Sequence, residues 1–233
     1  RLRESLRRRG ISMSGTTFSS TDLAHAVVSD APAPFVPRKR TLQIGTAAFT
    51  AMWVMYFGGL FATYVSSRNA WNLAQDGRAA EGDTPISWIP DSAQVELTAP
   101  TVMTWTLIMS MVTMQWAVYS FKRSDRRHGV LALATQAMFG AAVINQVVFQ
   151  WKQLGLVIDD TSGSSAATLI YAITASHVAM IVVAMCLLAF AAFRALASSD
   201  TKDHVDVVAA AATYWYAMVA LYFVIWILIF ITK

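Results

Sequence analysis

Only one of the four histidines, His177, lies deep inside a long apolar stretch, where a buried imidazole could bind a metal or exchange a proton. A haem between membrane helices would need two axial imidazoles from facing helices, but His25, His128 and His204 fall in predicted tail and loop segments. A dinuclear copper site would need cysteines and several histidines, and Cys186 is the single cysteine. We therefore expect no haem, copper or iron–sulfur centre in this chain.

The other polar side chains within the apolar stretches are neutral. No Asp or Glu lies inside them to relay protons, which argues against a pumping role for the chain itself. The third and fourth stretches carry amides and hydroxyls at membrane depth: Gln136, Asn145, Gln146, Gln150, Thr174 and Ser176. Such groups more often hydrogen-bond neighbouring helices or bound lipid than a substrate. The pattern favours packing or lipid contact, and for His177 a hydrogen-bonded structural role.

Five apolar stretches must carry these residues. A hydrocarbon core of about 30 Å requires about 20 helical residues at about 1.5 Å each, and every stretch reaches that length. The sequence therefore predicts an all-α membrane protein, with a five-transmembrane-helix bundle over residues 44–233. The predicted helices are Ile44–Val65, Val102–Phe121, Val130–Trp151, Ala166–Phe193 and Val207–Thr232.

The distribution of charge predicts how this bundle is oriented. Charged residues make up 14% of the chain and hydrophobic residues 56%, which is unlike a soluble domain. The N-terminal segment and the loops Lys122–His128 and Arg194–Asp206 contain 14 of the 18 Lys and Arg residues. Because cytoplasmic loops are enriched in Lys and Arg, we expect a cytoplasmic N-terminus and a C-terminus outside. The basic excess thus indicates topology, and we expect no nucleic-acid partner.

Two segments outside the predicted helices leave alternatives open. Residues 1–43 form a basic, proline-containing cytoplasmic tail, which could lie extended along a partner or the membrane surface, or be solvated. The acidic outer loop Ser66–Pro100 could dock a basic partner such as a small soluble cytochrome. For this loop we favour a solvated segment.

Several motifs together resemble one family. The run Met55-Tyr-Phe-Gly-Gly-Leu-Phe-Ala-Thr-Tyr64, followed by Arg68, resembles the first shared helix of subunit III of haem-copper cytochrome c oxidases. Tyr171-Ala-Ile-Thr-Ala-Ser-His-Val178 is similar to the segment with the family's His-x-x-His-Val motif, and Thr213-Tyr-Trp-Tyr216 to its C-terminal Tyr-Trp-His-Phe-Val-Asp helix. The resemblance covers about Ile44–Lys233 and is to the short five-helix bacterial form.

The sequence departs from the family pattern where the family has titratable groups. Trp53 and Gln150 stand where the family has glutamates, and Thr174 replaces the first histidine of the His-x-x-His motif. Tyr216 and Val219 replace the C-terminal histidine and aspartate. The chain therefore resembles a diverged subunit III with fewer groups that could take part in proton uptake.

The resemblance implies a non-catalytic accessory subunit of a respiratory terminal oxidase, which reduces oxygen and pumps protons in electron transport. Its main partner would be oxidase subunit I, with other oxidase subunits and a respiratory supercomplex as further partners. Haem and copper would lie in partner subunits, and phospholipid would fill a V-shaped cleft where the first two helices splay from the other three. The expected location is the bacterial inner membrane. Candidate lipid or packing residues are Trp53, Tyr56, Phe57, Arg68, Gln150, Trp151, His177, Trp215 and Tyr216.

Two alternatives remain at this stage. One is the corresponding helper subunit of a quinol oxidase or a nitric oxide reductase. The other, from a different class, is a small membrane transporter. The sequence disfavours the transporter because it has no paired inverted repeats, broken helices or charges at the membrane midplane.

Overall fold

The computed structural model of the protein describes residues 41–89, 93, 96–156, 158, 164–197 and 202–232. The predictions for the N-terminal segment up to residue 40 lie outside the described residues. Every regular element in the described ranges is helical. In chain order they are α1 (Thr41–Ala80), α2 (Thr98–Lys122), α3 (Arg126–Leu154), α4 (Ala166–Ala197) and α5 (Lys202–Ile225), which continues as a π-helical turn (Trp226–Ile231).

Four of these five described helices are long and apolar enough to cross a membrane, namely α1, α3, α4 and α5 with its π-helical turn. The 25-residue α2 is also long enough, and it carries the four hydroxyls of Thr104, Thr106, Ser110 and Thr113. Each of these hydroxyls donates to a carbonyl three or four residues earlier in the same helix. The predicted all-α membrane bundle is confirmed, and the protein is a multi-pass membrane protein.

Helix α5 holds the bundle together, because α1, α2 and α4 all pack against it. α2 and α3 form a helical hairpin with the most extensive contact of any pair, and α3 also packs on α4. The resemblance predicted that the first two helices would splay as a pair from the other three. Instead α1 packs on α4 and α5, while α2 packs on α3 and α5, so the first two helices do not form a separate pair.

The turn between α2 and α3 is fixed by local side chains. Asp125 caps α3 by accepting a hydrogen bond from the backbone N–H of His128 at 3.2 Å, and its other oxygen lies 2.7 Å from Nδ1 of the same residue. The backbone hydrogen bond is the main reason that the pKa of the Asp125 carboxyl lies below its ordinary value. At the other end of α3, Gly155 has a left-handed φ of 59° and stops the helix.

Helix α1 extends well beyond the predicted end at Val65, because no proline interrupts it, and it ends at Ala80, just before Gly82 with its positive φ of 89°. The following segment folds back on this extension. Trp71 Nε1 donates to the carbonyl of Ile86 at 3.0 Å, and the amide of Ile86 donates to Gln75 Oε1 at 2.9 Å. The loop between α1 and α2 is therefore shorter than predicted, and its residues 86–89 are docked on α1 instead of being fully solvated.

Trp88 is the anchor of this docked segment. It is buried, and its ring meets those of Tyr64 and Trp71 edge to face at 6.0 and 6.2 Å. The backbone carbonyl of Trp88 accepts from Ser164 at 2.6 Å, which links this segment to the start of α4.

Candidate functional site

A fully buried polar network joins three helices near the centre of the bundle. Trp215 Nε1 on α5 donates to Ser110 Oγ on α2 at 2.9 Å. The side-chain amide of Gln136 on α3 is oriented so that both its nitrogen and its oxygen have partners. The nitrogen donates to the Ser110 carbonyl at 2.8 Å, and the oxygen accepts from Trp215 Nε1 at 3.0 Å. Because unpaired polar groups are costly away from water, this network fixes how α2, α3 and α5 pack.

The sequence identified two of the three members of this network as separate candidates. Trp215 was a lipid or packing candidate, and Gln136 was one of several amides at membrane depth. Ser110 was missed because a serine in a hydroxyl-rich helix gives no signal of its own. Trp215 is almost completely buried, with 1% of its surface exposed.

His177 lies in a second buried cluster between α1, α4 and α5. Its Nε2 is 3.2 Å from the carbonyl oxygen of Met218, so Nε2 is the donor. The imidazole centroid lies 5.3 Å from the ring of Tyr222 and 6.4 Å from that of Phe57. These are the contacts of a hydrogen-bonded packing residue.

His177→Ala should lower the free energy of unfolding by about 1–2 kcal/mol, because it removes a buried hydrogen bond and leaves the aromatic neighbours without a partner. Unfolding of the purified protein in lipid–detergent micelles measures this. His177→Asn, which keeps a side-chain donor, should recover part of the loss. A fully stable His177→Ala protein would show that the contact with Met218 contributes nothing.

Three of the five positions where the resemblance implies titratable groups in the family are occupied here by residues that take part in packing. The Thr174 hydroxyl accepts from Trp151 Nε1 at 3.0 Å. The Tyr216 hydroxyl donates to Gln115 Oε1 at 2.8 Å, and Val219 is fully buried. Two neutral hydrogen bonds and an aliphatic contact thus stand in place of charged groups.

The other two positions leave polar atoms unpaired. Trp53 Nε1 and Gln150 Nε2 are buried and have no hydrogen-bond partner among the described residues. The Trp53 ring packs against Tyr56 and Phe57, with centroids 5.9 and 6.2 Å away. Trp53 therefore lies in an aromatic environment and Gln150 in the interior of the bundle.

The nine candidate residues do not converge on one site. Trp53, Tyr56, Phe57 and His177 lie along the contact of α1 with α4, where the Tyr56 and Ser176 hydroxyl oxygens are 2.9 Å apart. Arg68 is far along the same helix and donates to Thr232, just after the π-helical turn, at 3.2 Å. The remaining four are distributed over α3 and α5: Gln150, Trp151, Trp215 and Tyr216.

Two grooves open on the surface of α2. The tyrosine groove, between α2 and α5, has a volume of about 640 Å³ and is lined by Met111, Val112, Gln115, Trp116, Tyr119 and Tyr216. The Arg123 guanidinium lies 4.8 Å above the Tyr119 ring, so a cation lies beside one lining residue. The amide groove, between α2 and α3, has a volume of about 460 Å³ and is lined by Glu96, Thr98, Ala99, Val102, Asn145, Gln146, Phe149 and Gln153.

In the part of the chain that the structure describes, no three side chains of His, Cys, Asp or Glu lie close enough together to hold a metal ion. The buried contacts described above are neutral hydrogen bonds and aromatic contacts. Such an arrangement can fix helices relative to one another and can present grooves to a lipid or another protein.

Comparison with known proteins gives two concordant results. The family model for cytochrome c oxidase subunit III matches residues 26–233. A protein of Corynebacterium diphtheriae named cytochrome c oxidase subunit 3 is 26% identical over 201 residues, which cover 84% of this chain and 88% of the relative. A probable cytochrome c oxidase subunit 3 of Rickettsia conorii is 25% identical over 199 residues, which cover 83% of this chain and 67% of the relative.

Proposed function

This chain belongs to the cytochrome c oxidase subunit III family, and from that premise we propose that it is a non-catalytic membrane subunit of a respiratory terminal oxidase. The observation that carries the proposal is the family match, which spans all the described helices. The chain packs beside a subunit I that contains the haem and copper, and it stabilises that subunit in the membrane. The complex reduces oxygen and pumps protons, and this chain carries no redox centre of its own.

Phospholipid binding is the second part of the proposal, and the tyrosine groove supports it. Its walls are mostly aromatic and aliphatic, which suits an acyl chain. Arg123 lies beside Tyr119, and the neighbouring turn adds Lys122, Arg126 and Arg127, which suits a phosphate at the membrane surface. One lipid could thus contact both the groove and the basic turn.

The proposed location is a bacterial inner membrane, with the N-terminus in the cytoplasm and the C-terminus outside. The basic turn between α2 and α3 would then face the cytoplasm, where Lys and Arg are enriched. The docked segment around Trp88 would face the other side. The bacterial sources of the two relatives support this location.

Purification of the complex in a mild detergent tests the proposed function. We expect a tagged form of this chain to retain a haem-bearing membrane subunit, and the visible haem absorption to follow that partner after the subunits are separated. Metal analysis and the spectrum of the separated chain are the controls. A stoichiometric Soret band on this chain alone, or its isolation without any haem-bearing partner, would contradict the proposal.

A further inference from the structure

We propose that the amide groove binds one end of a transmembrane helix of a partner subunit, and that this helix end carries a Lys or Arg side chain. The inference rests on the proposed function, since it assigns a place on this chain to the contact with the oxidase. The proposed contact lies on α2 and α3, whereas the nine lipid or packing candidates from the sequence lie mainly on α1, α4 and α5.

The groove lies where the first turns of α2 meet the last turns of α3. Asn145, Phe149 and Gln153 follow one another at intervals of four residues, so they lie along one face of α3. Asn145 and Phe149 are exposed on this face. Val102, which is half exposed, is an apolar contact on the α2 side.

One amide of this groove has a buried oxygen, Gln146 Oε1, without a hydrogen-bond donor among the described residues. An amide facing hydrocarbon without a partner is unfavourable, and Asn and Gln side chains in membrane helices commonly hydrogen-bond across to another helix. The groove is therefore better suited to a polar helix surface than to an acyl chain.

The charge of the groove favours a cationic partner over a phospholipid headgroup. Among the residues that the structure describes, Glu96 is the one charged residue lining the groove, and no described Lys or Arg lines it. A phosphate would be repelled by this carboxylate, whereas Lys or Arg on a partner would pair with it. The tyrosine groove is the opposite case, because Arg123 lies beside it. The two grooves on α2 thus suit different occupants, a protein in one and a lipid in the other.

Site-specific photocrosslinking in the intact complex tests this assignment. A photoreactive amino acid replaces Phe149 in the amide groove, and as a control it replaces Phe190 on α4. The two phenylalanines are matched in exposure, at 53% and 55%. We expect at least about tenfold more crosslinked partner subunit from position 149, because only that position adjoins the proposed helix contact. Equal yields, or crosslinks from position 149 to lipid alone, would overturn the inference.

Two variants test the chemistry of the contact. The double change Asn145→Leu and Gln146→Leu should lower partner retention about tenfold, which corresponds to about 1.4 kcal/mol of binding free energy. Glu96→Gln should also lower retention, while Glu81→Gln, at an exposed position just after α1, should not. Glu96 is exposed, so its replacement does not threaten the fold. Full retention by both groove variants would overturn the inference.

These outcomes separate the inference from the proposed function. If the wild-type chain retains no haem-bearing subunit, the proposed function fails. If it does retain that subunit, but the groove variants and crosslinks behave like their controls, only the location of the contact is wrong.

Discussion

Trp215→Ala is expected to lower the free energy of unfolding by about 3–5 kcal/mol, the usual cost of truncating a large side chain in a packed core. The indole is almost completely buried and touches α2 and α3 from α5. Its removal would leave a cavity and would also leave Ser110 and Gln136 without their common donor. Denaturant unfolding in lipid–detergent micelles, followed by tryptophan fluorescence, measures the change.

Two controls separate the contributions to this loss. Trp215→Phe keeps an aromatic ring but removes the Nε1 donor, and it should cost about 1–2 kcal/mol. Trp105→Ala removes the same side chain from a surface position, where 62% of it is exposed, and should change stability little. If Trp215→Ala and Trp105→Ala were equally stable, the buried network would not hold the three helices together.

The helices could be predicted from the sequence because long apolar runs constrain the backbone strongly. The end of α1 could not be predicted in the same way. Hydropathy falls after Val65, but a helix continues until its residues stop favouring it, and here that happens near Gly82, with Pro85 following. A hydropathy pattern marks where membrane contact ends, which need not be where the helix ends.

The buried network was harder to predict than the helices, because its hydrogen bonds join side chains on different helices. Gln136, His177 and Trp215 each stood out as polar or aromatic residues at membrane depth, but no spacing in the sequence shows that Gln136 and Trp215 share Ser110. The pairing depends on which helices α5 touches. The resemblance predicted a different division of the helices, so it could not supply these pairs either.

Trp53→Glu, the change that returns the carboxylate expected at this position of the family, should destabilise the helix packing and should not speed turnover. Trp53 lies in the middle of the predicted membrane span Ile44–Val65, and its ring neighbours are Tyr56 and Phe57. A charge at the centre of a membrane helix costs about 2.5–3.5 kcal/mol. The aromatic neighbours offer no cation to offset that cost.

Comparison with Trp53→Gln isolates the effect of the charge, because Gln is nearly the same size as Glu but stays neutral. We expect Trp53→Gln to be the more stable of the two, and neither variant to exceed wild type in oxygen reduction or in protons pumped per electron by the reconstituted complex. Complex depleted of this chain provides the baseline. A faster and better-coupled Trp53→Glu complex, with Trp53→Gln unchanged, would mean that a carboxylate here joins a proton route. In that case α1 would contribute to proton uptake as well as to packing, because Gln cannot exchange a proton at neutral pH and Glu can.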